Sequence, residues 1–165
     1  MKMKKLLIIL MGIMSVSCTQ KKDIPTPVKP APFNDDFKTL VWSDEFNTDG
    51  APDPTKWGYD LGTGNGWGNN ELEYYTNRPE NVIVQGGVLK IKAIKENYMG
   101  SAYTSTRMLS KDKYAFTYGK VEVKAKLPAG VGTWPAIWML GSDVNTTPWP
   151  GCGEIDIMEH LGRDL

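Results

Sequence analysis

Gly153-Glu154-Ile155-Asp156-Ile157-Met158-Glu159 sets three carboxylates on an apolar background. Glu154 and Asp156 alternate with Ile155 and Ile157 at the period of two that belongs to a β-strand, where successive side chains point to opposite faces. Glu154 and Asp156 therefore share a face. Glu159, five positions beyond Glu154, falls on the other face of an ideal strand unless one extra residue, Ile157 or Met158, is absorbed in a β-bulge. With that bulge the three acids line one face, and the apolar residues between them predict a buried strand.

Four effective steps of ~3.3 Å put the outer Cα atoms about 13 Å apart. Two glutamates leaning toward each other can close their carboxyls to roughly 5–5.5 Å, the separation at which a retaining glycosidase works through a covalent glycosyl-enzyme intermediate. On that geometry Glu154 is the expected nucleophile and Glu159 the acid/base. Three adjacent acids do not all ionise cheaply, so coupled titrations with a raised apparent pKa are expected, Asp156 sharing a proton with Glu154. The competing reading of the same residues is a Ca²⁺ site or a solvated strand face. Ile155, Ile157, Met158 and the tryptophan-rich stretch before them argue against a solvated face.

At the other end, Met1 to Lys5 is basic, Leu6 to Met14 is an apolar run too short to span a bilayer, and small residues lead to Cys18. That order is a secretory signal. Ser15-Val16-Ser17-Cys18 looks like a bacterial lipoprotein cleavage box, although Ser15 stands where an apolar residue is usual; residues 1–17 are then the signal peptide and Cys18 the lipidated first residue. The plainer reading of Cys18 is a small residue after an ordinary cleavage site. An exported, membrane-anchored lipoprotein, periplasmic or at the cell surface, is expected. Only Cys152 then remains, so no intrachain disulfide forms; it reads as a buried filler beside the acidic strand.

Losing Lys2, Lys4 and Lys5 with the leader takes the 19 basic residues to 16 against 19 acidic, a net charge of −3. That balance gives no reason to expect a nucleic-acid partner. Residues 18–36, with Pro25, Pro27, Pro30 and Pro32, read as an extended tether. The globular part is residues 37–165, and it carries strand signals: Val82 to Val84, Val88 to Ala93, Lys120 to Leu127 and Ala136 to Leu140, punctuated by Gly, Pro and Asn. Val121 to Leu127 alternates apolar and charged residues as a half-exposed antiparallel strand does. Gln85-Gly86-Gly87-Val88 predicts a hairpin turn. Helical periodicity is absent, and an all-β sandwich is the expected architecture.

Trp134 and Trp138, four apart, fall on one face of a strand, and Trp149 precedes Glu154 by five residues. All three are candidate platforms for pyranose rings, with sandwich core as the alternative. Tyr74 and Tyr75 point to opposite faces of any strand. His160, directly after the acids, reads as structural.

Five segments together resemble glycoside hydrolase family 16, the laminarinase-like β-glucanases. They are Trp42-Ser43-Asp44-Glu45-Phe46, the run from Gly66 to Thr76, the run from Gly119 to Pro128, the run from Gly132 to Leu140, and the acidic strand. The resemblance implies a concanavalin A-like jelly roll with an open cleft, Glu154 as nucleophile, Asp156 assisting and Glu159 as acid/base. The extra residue before Glu159 resembles the β-1,3-glucanase, agarase and carrageenase form, and the whole pattern looks most like an endo-β-1,3-glucanase acting on laminarin-type glucans. Asn70 and Arg107 match positions that contact sugar hydroxyls in the family, though Thr106 stands where a glycine more often precedes the arginine. The bland reading of Asn70, among Gly64, Gly66 and Gly68, is a turn residue.

The resemblance requires no cofactor; a structural calcium away from the cleft belongs to it as an expectation, with no ligands assigned. A monomer acting on polysaccharide is expected, and the membrane is met only through the lipid anchor. Sandwiches of this kind commonly run to roughly 200–250 residues, so the domain is expected to be incomplete at the C-terminus. Two other functions stay open: a non-catalytic β-glucan-binding sandwich, and a related hydrolase of agarose or another galactan.

Overall fold

The computed structural model describes residues 37–162. The described residues all belong to one compact unit, which begins at Phe37. The expected signal peptide, the lipid site at Cys18 and the tether of residues 18–36 lie outside them.

Strands dominate. They are β1 (Gly58–Asp60), β2 (Glu73–Tyr75), β3 (Val82–Val84), β4 (Leu89–Ile91), β5 (Ile94–Tyr98), β6 (Ser101–Ser105), β7 (Arg107–Leu109), β8 (Ala136–Leu140) and β9 (Glu154–Glu159). The one helical turn among the described residues is a 3₁₀ turn at Gly64–Gly66. The strands pair as β1 with β7, β2-β6-β5, β3 with β4, and β8 with β9. All ladders are antiparallel except β2 with β6.

The turn expected at Gln85-Gly86-Gly87-Val88 joins β3 to β4, with Val82 opposite Ile91 and Val84 opposite Leu89. Gln85 N donates to Val88 O at 2.9 Å. Gly86 and Gly87 both take positive φ, 66° and 71°, the two-residue conformation whose twist suits a hairpin and which glycine enters without strain.

Val82 and Val84 form the dry apolar centre, and beside them the interior is polar, with Asn81 and Thr104 fully buried. Asn81 Oδ1 accepts from Thr76 Oγ1 (2.6 Å) and Arg78 Nη2 (3.0 Å), while Nδ2 donates to Lys92 O (3.1 Å) and Thr104 Oγ1 (2.9 Å). The carboxamide thus uses its whole donor and acceptor capacity. Arg78 also pairs with Glu96 and lies over the Tyr98 ring at 4.2 Å. The Thr104 hydroxyl, then Arg78, holds the Glu96 carboxyl below its ordinary range. This network ties the 76–81 loop to β5 and β6, and so fixes where β2 ends.

A second cluster is aromatic. Trp42 meets Trp57 edge-on at 5.4 Å and stacks on Tyr114 at 5.3 Å, and Phe46 lies 6.1 Å from Trp57. Trp57 Nε1 donates to Asp44 Oδ2 at 2.7 Å, so the Trp42–Phe46 segment serves packing.

Three expectations are corrected. Lys120–Leu127 forms no strand: no described strand lies alongside to complete its ladder, and Val123 is exposed. The acidic strand is not buried. Ile155 is 61 % and Ile157 38 % exposed, and among the described residues β9 pairs only with β8. Cys152 is half-buried, not a buried filler.

Asn81→Ala would leave the buried Thr76 hydroxyl without its acceptor and take one partner each from Thr104, Arg78 and the Lys92 carbonyl. We expect a loss of about 1–3 kcal/mol, read as a lower urea midpoint at unchanged slope. An unmoved midpoint would mean that the network is not under tension from burial.

Candidate active site

The register of β8 against β9 decides where the acids point. Leu140 pairs with Glu154, Met139 with Ile155 and Trp138 with Asp156; the register then shifts, so that Ile137 pairs with Met158 and Ala136 with Glu159. Ile157 has no partner across the ladder. It is the inserted residue of a β-bulge, one of the two positions at which the spacing requires one. Directly paired residues share a face, and Leu140, Trp138 and Ala136 are two apart on β8. Glu154, Asp156 and Glu159 therefore stand on one face.

Two connections support this hairpin. Pairing continues past Glu159, with His160 N donating to Pro135 O (3.1 Å) and Gly162 N to Thr133 O (2.8 Å). At the far end Gly141 leaves β8 so close to the returning chain that a Cβ there would lie 2.3 Å from Cys152 O. Only glycine lets the strand ends approach so closely.

The three acids are exposed. Trp149 Nε1 donates to Glu154 Oε2 at 2.6 Å, and Trp134 Nε1 to Glu159 Oε1 at 3.1 Å. Both indoles are exposed among the described residues, Trp149 more than Trp134. Trp138, opposite Asp156, is half-buried, and the Arg107 guanidinium lies over its ring at 4.8 Å.

Arg107 is itself held. Its Nε donates to Asp60 Oδ2 at 3.1 Å across the β1–β7 ladder, where the two residues are direct partners. Its guanidinium also lies over Trp67 at 4.9 Å, and Nη1 stands 3.9 Å from Glu71 Oε1. Cation–π contact with two indoles suits the flat, weakly hydrated guanidinium and not an ammonium. Tyr75 OH lies 2.6 Å from Glu71 Oε2 and 2.8 Å from Glu73 Oε1. Sequence reasoning missed Asp60, Trp67, Glu71 and Glu73. Glu71-Leu72-Glu73 alternates acids much as Glu154 to Asp156 does, and that was the available signal.

Asn70 is exposed and takes a left-handed φ of 57°, as a turn residue does. The structure thus gathers Trp134, Trp138, Trp149 and the three acids, links Arg107 to them through Trp138, and sets Asn70 in the turn beside Glu71. Among the described residues no group of three or more His, Cys, Asp or Glu side chains is arranged to hold a metal ion.

A family model described as the XgeA-like catalytic GH16 domain matches residues 47–164. A β-glucanase of Rhodothermus marinus is 57 % identical over 126 residues, covering 74 % of this chain and 44 % of that protein. The crystal structure of the laminarinase from Rhodothermus marinus superimposes with a TM-score of 0.71 at 56 % identity, over 74 % of this chain and 50 % of that one. LamA from Zobellia galactanivorans, in complex with laminaritriose and laminaritetraose, gives 0.71 at 52 % identity, over 78 % and 58 %. The fold is the jelly-roll type of these structures. The chain spans about half the length of the relatives it matches.

Burial first, and then the bonds to Glu71 and Glu73, push the Tyr75 phenol well above its ordinary value. In the unfolded chain it ionises near 10. The folded state therefore holds this proton more tightly, so its contribution to stability is complete below about pH 10 and is lost as the pH rises further. Tyr75→Phe should flatten the alkaline limb of stability against pH, measured by urea unfolding between about pH 8 and 11; an identical limb in both proteins would refute the assignment.

Proposed function

We propose, from the premise that this chain belongs to glycoside hydrolase family 16, that it carries the catalytic strand of a retaining endo-β-1,3-glucanase acting on laminarin-type glucans. The observation behind this reading is the common face of Glu154, Asp156 and Glu159, created by the bulge at Ile157.

The chemistry runs in two steps. Glu154 attacks the anomeric carbon as the glycosidic C–O bond breaks, and Glu159 gives its proton to the departing oxygen. A covalent glycosyl ester on Glu154 results. Glu159, now a carboxylate, takes a proton from water, whose oxygen attacks the same carbon and releases Glu154. Asp156 stands between the two on the same face and assists Glu154. Trp134, Trp138 and Trp149 offer apolar faces to the pyranose rings, and Asn70 and Arg107 meet hydroxyls at the edge. The similarity to the Rhodothermus marinus laminarinase and to LamA, the latter bound to laminaritriose and laminaritetraose, supports the substrate class.

The protein acts as a monomer on polysaccharide outside the cytoplasm, held to a membrane by lipid on Cys18. It has no nucleic-acid partner. A Cys18→Ala variant should leave the membrane fraction for the soluble one after cell fractionation; retention in the membrane would remove the anchor.

Laminarin, agarose and carrageenan, each incubated with the purified protein and assayed for new reducing ends, test the activity. Release from laminarin alone is expected. Glu154→Gln should abolish it, and Glu159→Gln should slow it by roughly 10²–10⁴-fold. Equal binding of laminarin by protein and variant, with no turnover by either, would instead identify a glucan-binding sandwich.

A further inference from the structure

Each outer glutamate has one oxygen held by an indole. Trp149 reaches Glu154 Oε2 from the loop between β8 and β9, and Trp134 reaches Glu159 Oε1 from the residues before β8. The two indoles come from opposite flanks of the acidic row. We propose that Trp134 and Trp149 are positioning residues, each fixing the rotamer of one reacting carboxylate through its indole N–H and leaving the other oxygen, Oε2 of Glu159 and Oε1 of Glu154, to react. The proposal deepens the catalytic reading and rests on it.

Three observations carry it. First, an indole offers one donor and no acceptor, so the polar edge of each ring has one use here and is committed to a carboxylate. Second, Glu154 and Glu159 are exposed, and a glutamate in water samples several rotamers unless something holds it. A charge-assisted hydrogen bond to a carboxylate oxygen does that, and it is stronger than a neutral one. Third, Trp149 is 64 % and Trp134 47 % exposed, so packing alone does not account for their order. The bond orders both partners at once.

Placement matters because displacement at carbon needs its reacting groups within a narrow range of distance and angle. A platform needs only the ring face, whereas a positioning residue needs the N–H. Phenylalanine separates them, since it keeps an aromatic face and has no donor.

The pairing is tested first without turnover. The full chain, labelled with ¹⁵N, has six tryptophans and so six indole N–H resonances. The resonance missing in Trp149→Phe is expected to move in Glu154→Gln and stay in Glu159→Gln; the one missing in Trp134→Phe should do the reverse. Indole resonances indifferent to both glutamine variants would overturn the proposal. On laminarin, each Phe variant should lose about tenfold in kcat, close to 1.4 kcal/mol, with KM unchanged within about twofold. Unchanged kcat with a raised KM would reduce both residues to platforms and equally overturn it. If the resonances pair as expected but the wild-type rate does not depend on Glu154, the positioning stands and the catalytic reading fails.

Discussion

One unpaired residue in one strand governs the arrangement of the acids. Without the bulge at Ile157, a side-chain period of two would send Glu159 through to the other face of the ribbon, away from Glu154 and Asp156. With it, the ladder slips by one and the third acid returns. The bulge also increases local twist, which turns the outer side chains of a row toward one another. The partner strand matters as much: Ala136, Trp138 and Leu140 are the positions against which the acids register, and Gly141 lets the ends of the hairpin come together.

The hairpin joins the remaining strands through Arg107. β7 carries this residue, β1 binds it through Asp60, and its guanidinium lies over both Trp67 and Trp138. A cation shared by two aromatic faces is a compact way to join elements that share no ladder. Asp60 and Glu71 keep that cation balanced. On the other side of Glu71, Tyr75 sits at the end of β2, where the 76–81 loop and its saturated Asn81 carboxamide set the strand's position. Polar groups thus set the geometry between small sheets whose apolar centre is two valines.

The acidic strand, the β3–β4 hairpin, β8 and the all-β class were legible because each is a local property: a period, a glycine pair, a run of apolar residues. The need for a bulge was legible too, since spacing of five and a common face are incompatible otherwise. Lys120–Leu127 failed for the complementary reason. Alternation states that a segment suits a strand, but a ladder needs a neighbour, and no neighbour is written in seven residues. Burial of Ile155 failed likewise, because apolar side chains record a suitability for burial and not the layer that supplies it. Strands β5, β6 and β7 carry threonine, serine and charge, so an apolar scan passes over them, although Ile94-Lys95-Glu96-Asn97-Tyr98 alternates in burial along its length. The Arg107 cluster joins residues 47 and 36 positions apart from it, and pairings at that range leave no local trace.

Tryptophan at positions 134 and 149 answers two demands that no other side chain meets together. Tyrosine and histidine bring acceptors that water or a sugar hydroxyl can occupy, and phenylalanine has no polar edge. An indole lays a wide apolar face against a pyranose while its single donor stays on a carboxylate. On the proposed reading the same ring would bind the substrate and aim the group that acts on it, so that ring placement and carboxylate placement stay coupled. Among the described residues the acids stand exposed on a two-stranded ribbon, and the two indole N–H groups are what hold an oxygen of each outer carboxylate.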